Sequence, residues 1–436
     1  MPARAPTTNA PTATPSARRR SLTSRLPEYG SAIWAMQTAQ VLHPMGTRPF
    51  RPYPYQAEIL LDDSTRRLIL KARQTGISQT VAIEARHLAE FTPESTIVFL
   101  SRTEKMAADL IRYARGAAPE RAGNPIVRDN AMALQFANGS RMIAEAATKS
   151  AGRGFAATSV YLDEFAFHEY SDDVWRAIQP TISTGGRITV LSTPNGRQNT
   201  FYLMWSGEYG AWSKHLVHWR DCPAYDDDWY ARTRPGFTGR DWASEYECDF
   251  VESGGSAFTA ELCERAYDRR LPNDDPRTWV SVPGSTTYWD LGARQDATVG
   301  VTVAPVAGRL PVVAFLRMEA PNEWPAIERA IAERIARYPD GRHVIESNGI
   351  GDPFLAKCRE DGLPVEEFLV TARSKQDIIR SLVLSCEQDR FRHGSASLFA
   401  EMLRYEYQDT KLVQDCVMAA SGAVYVAQQG GILLHV

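Results

Sequence analysis

Two groups of polar residues in this 436-residue chain have the types and order that chemistry on phosphates needs. The first begins at Lys71-Ala72-Arg73-Gln74-Thr75-Gly76-Ile77-Ser78. Against the pattern G-x-x-x-x-G-K-[ST], this run keeps Gly76 and Ser78 but has Lys71 for the first glycine and Ile77 for the lysine. Alone, it reads equally as a turn that starts a helix. Its neighbours sharpen the reading. Val160-Tyr161-Leu162-Asp163-Glu164 is an apolar run ending in two carboxylates, one suited to hold Mg2+ through water (Asp163) and one to orient an attacking water (Glu164). Thr189 to Thr193 is an apolar run ending in the hydroxyls of Ser192 and Thr193, suited to sensing a γ-phosphate. Upstream, the amide of Gln56 is of a kind that reads an adenine edge. Together these residues point to ATP.

The second group is acidic. Asp290 follows Trp289, Asp296 stands six residues later, Glu346 follows Val344-Ile345, and Asp415 follows Gln414. Singly, each reads as an exposed turn residue or a helix cap. As a set they suit phosphodiester cleavage by two Mg2+ or Mn2+ ions about 3.5 to 4 Å apart, because hard cations take oxygen ligands and both the attacking and leaving oxygens need charge stabilisation.

Each group needs elements to hold it. A phosphate loop works only between a strand and a helix, where backbone N–H groups and the helix N-terminus face the anion. From about residue 50 to 220, short apolar runs at 68–70, 96–101, 159–163 and 187–193 alternate with amphipathic helices near 78–91, 103–114 and 174–182. That alternation predicts a mostly parallel sheet with helices on both faces. One interruption, 132–136 and 141–146 around Asn138-Gly139, predicts a β-hairpin. Residues 221–284 are irregular. Strands then follow at 288–291, 298–304 and 312–317, a helix at 326–338, a strand at 343–347, and helices from Lys375 onward, which is the order of a ribonuclease-H-like fold.

Composition is that of a globular protein, with 44% hydrophobic and 23% charged residues. The net charge of -3 gives no global footprint for nucleic acid, so DNA contact must come from local basic patches. Residues 1–26 hold Arg4, Arg18, Arg19, Arg20 and Arg25 with no acidic residue, and read as a disordered basic arm. The six cysteines are scattered without a CxxC pair and are expected to be reduced and buried. His215 and His218 sit three apart on an expected strand over 212–219, which points them to opposite faces and away from a shared metal. No apolar run approaches a membrane span, and no secretory signal opens the chain, so an intracellular protein without membrane contact is expected.

In its ordered motifs, over about residues 50 to 420, the chain resembles the large terminase subunit of tailed bacteriophages. The resemblance implies an α/β chain with a RecA-like P-loop ATPase domain (27–220), a linker region (221–284) and a ribonuclease-H-like nuclease domain (285–436). It implies ATP-driven movement of double-stranded DNA into a capsid, and metal-dependent endonucleolytic cutting with Mg2+ or Mn2+. In that family a basic residue near the start of the loop serves the phosphates, so Lys71 or Arg73 replaces the lysine missing at Ile77. Arg153, in Gly152-Arg153-Gly154, is implied as an arginine finger toward a neighbouring subunit, the alternative being a turn arginine bound to a local carboxylate. Asp290, Glu346 and Asp415 are implied as metal ligands, with Asp296 auxiliary. The family carries consecutive aspartates at the last motif, where this chain has Gln414-Asp415. The segment Glu245 to Phe258 resembles the family's linker. Implied partners are a small terminase subunit, a portal protein and further copies of the chain, in the host cytoplasm and transiently on the procapsid. Two other readings stay open. One is a helicase-like remodelling ATPase with an attached nuclease, which lacks support from any second nucleotide-binding lobe; the other is a decayed prophage protein that only binds DNA or a portal, which Ile77 and Gln414 favour.

Overall fold

The computed structural model describes residues 31–120, 123–154, 156–183, 185–251, 256–292, 296–347, 351–406 and 414–430. The basic arm expected at 1–26 lies outside them. The chain forms two compact units, Met1–Tyr230 with Ala243–Val251, and Ala231–Trp242 with Glu252–Val436. The residues expected to form a linker, 221–284, are thus shared between the units rather than standing apart.

In the first unit a short hairpin, β1 (Gln40–His43) and β2 (Gly46–Pro49), precedes helix α1 (Pro54–Leu61). The main sheet has eight strands: β3 (Arg66–Lys71), β4 (Thr96–Ser101), β5 (Ile126–Asn130), β6 (Ala133–Phe136), β7 (Arg141–Ala146), β8 (Ser159–Asp163), β9 (Arg187–Ser192) and β10 (Ser213–Val217). Their order is β10-β3-β9-β8-β4-β7-β6-β5, parallel from β10 to β7 and antiparallel through β6 and β5. The expected hairpin is β6 and β7, and β7 joins it to the parallel sheet through β4. Strands β4 and β8 are buried at every position, which is why they read as unbroken apolar runs rather than alternating ones.

Helix α2 (Ile77–Phe91) leaves the sheet directly after β3, and α3 (Glu104–Gly116) leaves after β4. Buried charge fixes α2 in place. The Arg67 guanidinium forks onto Glu84, which also accepts from Arg187 (3.0 Å) and from the Tyr161 hydroxyl (3.1 Å), tying the helix to β3, β9 and β8. Charges this deep persist only when paired, and removing one partner of such a group costs about 3 to 5 kcal/mol. His215 and His218 have separate carboxylates, Asp62 at 2.8 Å and Glu247 at 2.7 Å, and share no site. All six cysteines are free and buried.

The second unit has a six-stranded sheet of β11 (Thr286–Asp290), β12 (Thr298–Val303), β13 (Leu310–Met318), β14 (Arg342–Glu346), β15 (Glu366–Phe368) and β16 (Phe391–Arg392), ordered β15-β14-β11-β12-β13-β16. An antiparallel meander, β11 to β13, is extended past β11 by β14 and β15 in parallel. This is the ribonuclease-H-like order. Helix α4 (Trp324–Arg337) covers one face through Ile327 and Ile331 against Trp289 and Ile345. On the other face α5 (Ala372–Glu387), α6 (Ala396–Arg404) and α7 (Asp415–Gly430) bury Tyr288, Val299 and Val301. The small residues of α7 permit close approach: a Cβ at Gly422 would stand 2.6 Å from the Tyr288 ring. That closeness brings the first residue of α7, Asp415, to the end of the sheet where β11 and β14 terminate.

Candidate active sites

The turn from β3 to α2 is built for an anion. Gln74 and Gly76 have positive φ, 59° and 79°, so the chain reverses and directs the free N–H groups of the first helical turn outward. A side chain at Gly76 would also collide with Gln56, whose Nε2 lies 2.8 Å from the ideal Cβ position. The turn is held from outside by the Tyr55 hydroxyl, which donates to the Thr75 carbonyl at 2.8 Å, and by the Tyr225 hydroxyl, which donates to the Gln74 carbonyl at 3.1 Å.

Lys71, the last residue of β3, sends its ammonium to Glu164 Oε1 at 2.6 Å. Burial alone would lower the Lys71 pKa, but Glu164, with Asp163 behind it, holds it above the ordinary lysine value. Burial would likewise raise Glu164, yet Lys71 outweighs it, and hydrogen bonds from the Thr193 N–H (3.4 Å) and Ser192 hydroxyl (3.5 Å) help hold the carboxyl below its usual range. Asp163 is pushed the other way, to about 6, by burial and by the charge on Glu164. It accepts from the Ser78 hydroxyl at 3.1 Å. Glu164 has φ 52°, an uncommon backbone setting for a residue with a side chain, which turns its carboxylate back over the loop.

A cavity of about 810 Å3 opens over this cluster, lined by Lys71, Arg73, Gln74, Thr75, Gly76, Ile77, Ser78, Glu164 and Thr193 among the expected residues. Between the two candidate cations the geometry discriminates. Lys71 is buried against the carboxylates, whereas the Arg73 side chain is half exposed and lies 3.6 Å from Glu245. Ile77 has its side chain in the hydrophobic core.

Two expected assignments change. Gln56 does not line the cavity: its Oε1 accepts the Tyr53 N–H at 2.9 Å and its Nε2 donates to the Thr75 carbonyl at 3.4 Å. Its amide is committed to capping α1 and bracing the loop, and is not free for a base edge. Ser192 faces inward, accepting from the Ala166 N–H at 3.2 Å and steadying Glu164 instead of lining the cavity. Arg153 is exposed between Gly152 (φ 77°) and Gly154 (φ 86°), away from the cavity lining, and no described carboxylate holds it. The local pairing considered as its alternative is therefore absent among the described residues. The sequence reading missed the hairpin residues Leu42, His43 and Pro44, together with Arg102 and Tyr113 from the β4–α3 region, all of which line the cavity.

The second site gathers acid. Trp289 and Ile345 are paired partners on β11 and β14, so Asp290 and Glu346, one residue on, end neighbouring parallel strands side by side. Asp415, at the start of α7, accepts the Ala297 N–H at 3.1 Å. Asp290 is raised well above its usual pKa by burial and then by Glu346, Asp415 and Glu401, with Lys375 opposing. Burial also raises Glu346, against a hydrogen bond from the Tyr288 hydroxyl at 3.2 Å. Asp296 is exposed and reaches Asp415 only through its charge. Glu401, missed in sequence because α6 reads as an ordinary amphipathic helix, is buried and accepts the Val417 N–H at 2.8 Å, capping α7 just behind Asp415. Where Gln414 replaces an acid, its carbonyl accepts from Lys375 Nζ at 3.2 Å.

The donor chemistry fits a hard divalent cation: carboxylate oxygens with no sulfur or imidazole, crowded enough to raise one another's pKa. Among the described residues, however, no three acid, histidine or cysteine side chains converge closely enough to grip an ion as they stand, so binding requires rotation of these side chains.

Residues 68–265 match the family model "Terminase large subunit, T4likevirus-type, N-terminal". That segment belongs to the terminase large-subunit family. The fold of the whole chain is similar to that of the large terminase from a thermophilic bacteriophage, with a TM-score of 0.58 at 12% identity, covering 86% of this chain and 99% of that one. The same phage's large terminase in complex with ATP-gamma-S aligns with a TM-score of 0.56 at 12% identity, covering 86% of this chain and 98% of its own. The loop, carboxylates and hydroxyls described above for the first unit all lie within the terminase segment. Among the described residues no helix is long and apolar enough to cross a membrane.

Proposed function

We propose that this terminase-family chain hydrolyses ATP in its first unit to drive double-stranded DNA into a capsid, and cuts the DNA at the carboxylate cluster of its second unit. The observation that carries the first half is the buried Lys71–Glu164 pair beside Asp163 and Ser78, at the mouth of a turn whose N–H groups face the same cavity. Without nucleotide, Lys71 neutralises Glu164. When the phosphates of ATP enter, they compete for the ammonium, and Glu164 is released to polarise water beside the γ-phosphate. Mg2+ brought with ATP would be held through Ser78 and Asp163 and would offset phosphate charge. Thr193 and Ser192, at the end of β9, grip Glu164 and so link its position to the neighbouring strand. Arg153, exposed on a glycine-flanked turn, is placed to act on the site of another copy rather than on its own.

In the second unit Asp290, Glu346 and Asp415 would hold Mg2+ or Mn2+, which would stabilise charge on a scissile phosphodiester. Glu401 and the Ala297 N–H orient Asp415, and the Tyr288 hydroxyl orients Glu346. The partners of such a machine are a small terminase subunit, a portal and further copies of the chain, in the host cytoplasm and on the procapsid. A second reading, a motor that does not cut, is favoured by Gln414, whose amide is neutral and already occupied by Lys375.

Glu164→Gln tests the motor. The amide keeps the side chain's size but cannot polarise water, and it releases Lys71, so hydrolysis should vanish while ATP binds at least as tightly as in wild type. Loss of binding together with hydrolysis would assign Glu164 a structural role instead.

A further inference from the structure

Four lysine or arginine side chains line the cavity over the loop: Lys71, Arg73, Arg102 and Arg112. Three have carboxylates of their own, Lys71 with Glu164 at 2.6 Å, Arg73 with Glu245 at 3.6 Å and Arg112 with Asp109 at 2.9 Å. Arg102 has no carboxylate partner among the described residues. Its guanidinium instead lies over the ring of Phe167, another lining residue, with Cζ 5.5 Å from the ring centroid. An aromatic face steadies an arginine without neutralising it or occupying its N–H donors.

Its place in the sheet is informative. β4 and β8 are parallel neighbours with Leu100 opposite Leu162, so Arg102 stands level with Glu164, each two residues past a paired position. Lys71 reaches Glu164 from the β3 side of the cavity, and Arg102 borders the cavity from the β4 side. Phosphates seated on the N–H groups of the turn at Gly76 and Ser78 would therefore present their last member, the one nearest Glu164, between the two cations.

We propose that Arg102 binds the γ-phosphate of ATP from within the same chain, making the site discriminate ATP from ADP. The inference rests on the ATPase reading and adds a residue to it. ADP carries no group at that position, so Arg102 contributes to ATP affinity and little to ADP affinity. A charge-assisted bond from a guanidinium to a phosphate oxygen corresponds to about 10- to 100-fold in affinity. Lysine places one charge without the planar fork and should recover part of that factor.

The test is a fluorescence titration of the full chain with a labelled ADP in Mg2+ buffer, and its displacement by ATP-gamma-S, for wild type, Arg102→Ala and Arg102→Lys. The expected result is an ATP-gamma-S affinity at least about 10-fold weaker in Arg102→Ala, partly recovered in Arg102→Lys, with labelled ADP bound as in wild type by all three. Equal weakening of both nucleotides, or an unchanged preference in Arg102→Ala, overturns the inference while leaving the ATPase reading in place. Wild-type protein that binds neither nucleotide overturns both.

Discussion

Replacing Lys71 with methionine keeps the length of the side chain and removes its charge, leaving Glu164 buried beside Asp163 without a counterion. The Lys71 and Glu164 side chains are only 7% and 19% exposed, so solvent does little to compensate. Breaking a buried pair from one side costs about 3 to 5 kcal/mol. A unit of this size loses ~2 to 4 °C of melting temperature per kcal/mol, so its transition should fall by about 6 to 20 °C. The deficit should depend on pH with a defined sign. In wild type the Glu164 pKa is held low, so its pairing stabilises the fold above the pKa of the unfolded chain and is lost as pH falls through the folded value. Without Lys71, burial raises the carboxyl, so the penalty is full at neutral pH and fades as acid protonates it. Melting curves of wild type, Lys71→Met and Lys71→Met/Glu164→Gln across pH 5 to 8 measure this. The gap between wild type and Lys71→Met should narrow toward low pH, and the double variant should regain most of the loss at pH 8. A gap independent of pH, or a double variant no more stable than Lys71→Met, would refute the account of the pair.

Other expectations follow from the same geometry. Mn2+ should raise the melting temperature of the second unit, by an amount equivalent to about 2.7 kcal/mol at a hundredfold excess over Kd. Because Asp290, Glu346 and Asp415 all have raised pKa values, the metal-free unit should gain stability as pH falls and the Mn2+ increment should shrink, as calorimetry from pH 8 to 5 would show. Arg153→Ala mixed with Glu164→Gln should regain ATP turnover in assembled particles, since a finger supplied in trans contributes roughly 10³- to 10⁵-fold in rate; mixtures as inactive as either variant alone would leave Arg153 without that role. Gln414→Asp should tighten Mn2+ binding measured by calorimetric titration, and more so when Lys375→Met removes the ammonium that would otherwise claim the new carboxylate. An unchanged Mn2+ affinity in the double variant would separate position 414 from the metal site.

The sequence made the framework readable wherever burial leaves a continuous signal. β3, β4, β8 and β9 lie in the interior of a parallel sheet and are apolar nearly throughout, so their ends, and with them Lys71, Asp163, Glu164 and Ser192, could be located. The choice between Lys71 and Arg73 could not, because it depends on which of two neighbouring side chains points at a strand 93 residues away. Gln56 misled for a related reason: its type and position suit base recognition, but a local N–H at Tyr53 and a carbonyl at Thr75 satisfy its amide first. The hairpin from Gln40 to Pro49 is short and largely exposed, so it carries no alternation to betray it, although it supplies one wall of the cavity. Strands β15 and β16, of three and two residues, lack the length for any periodicity. Residues 221–284 were seen as irregular, yet their division between two units is settled by long-range packing that no local pattern records.

The central claim is that one chain holds two separable chemistries, and the most direct measurement is a pair of assays on three proteins. ATP turnover and Mg2+- or Mn2+-dependent plasmid cleavage would be followed for wild type, Glu164→Gln and Asp290→Ala. Wild type should show both activities, Glu164→Gln should lose ATP turnover and keep cleavage, and Asp290→Ala should lose cleavage and keep turnover. Wild-type protein that cleaves nothing with either metal, or a Glu164→Gln or Asp290→Ala protein that loses both activities while still folded, would contradict the account.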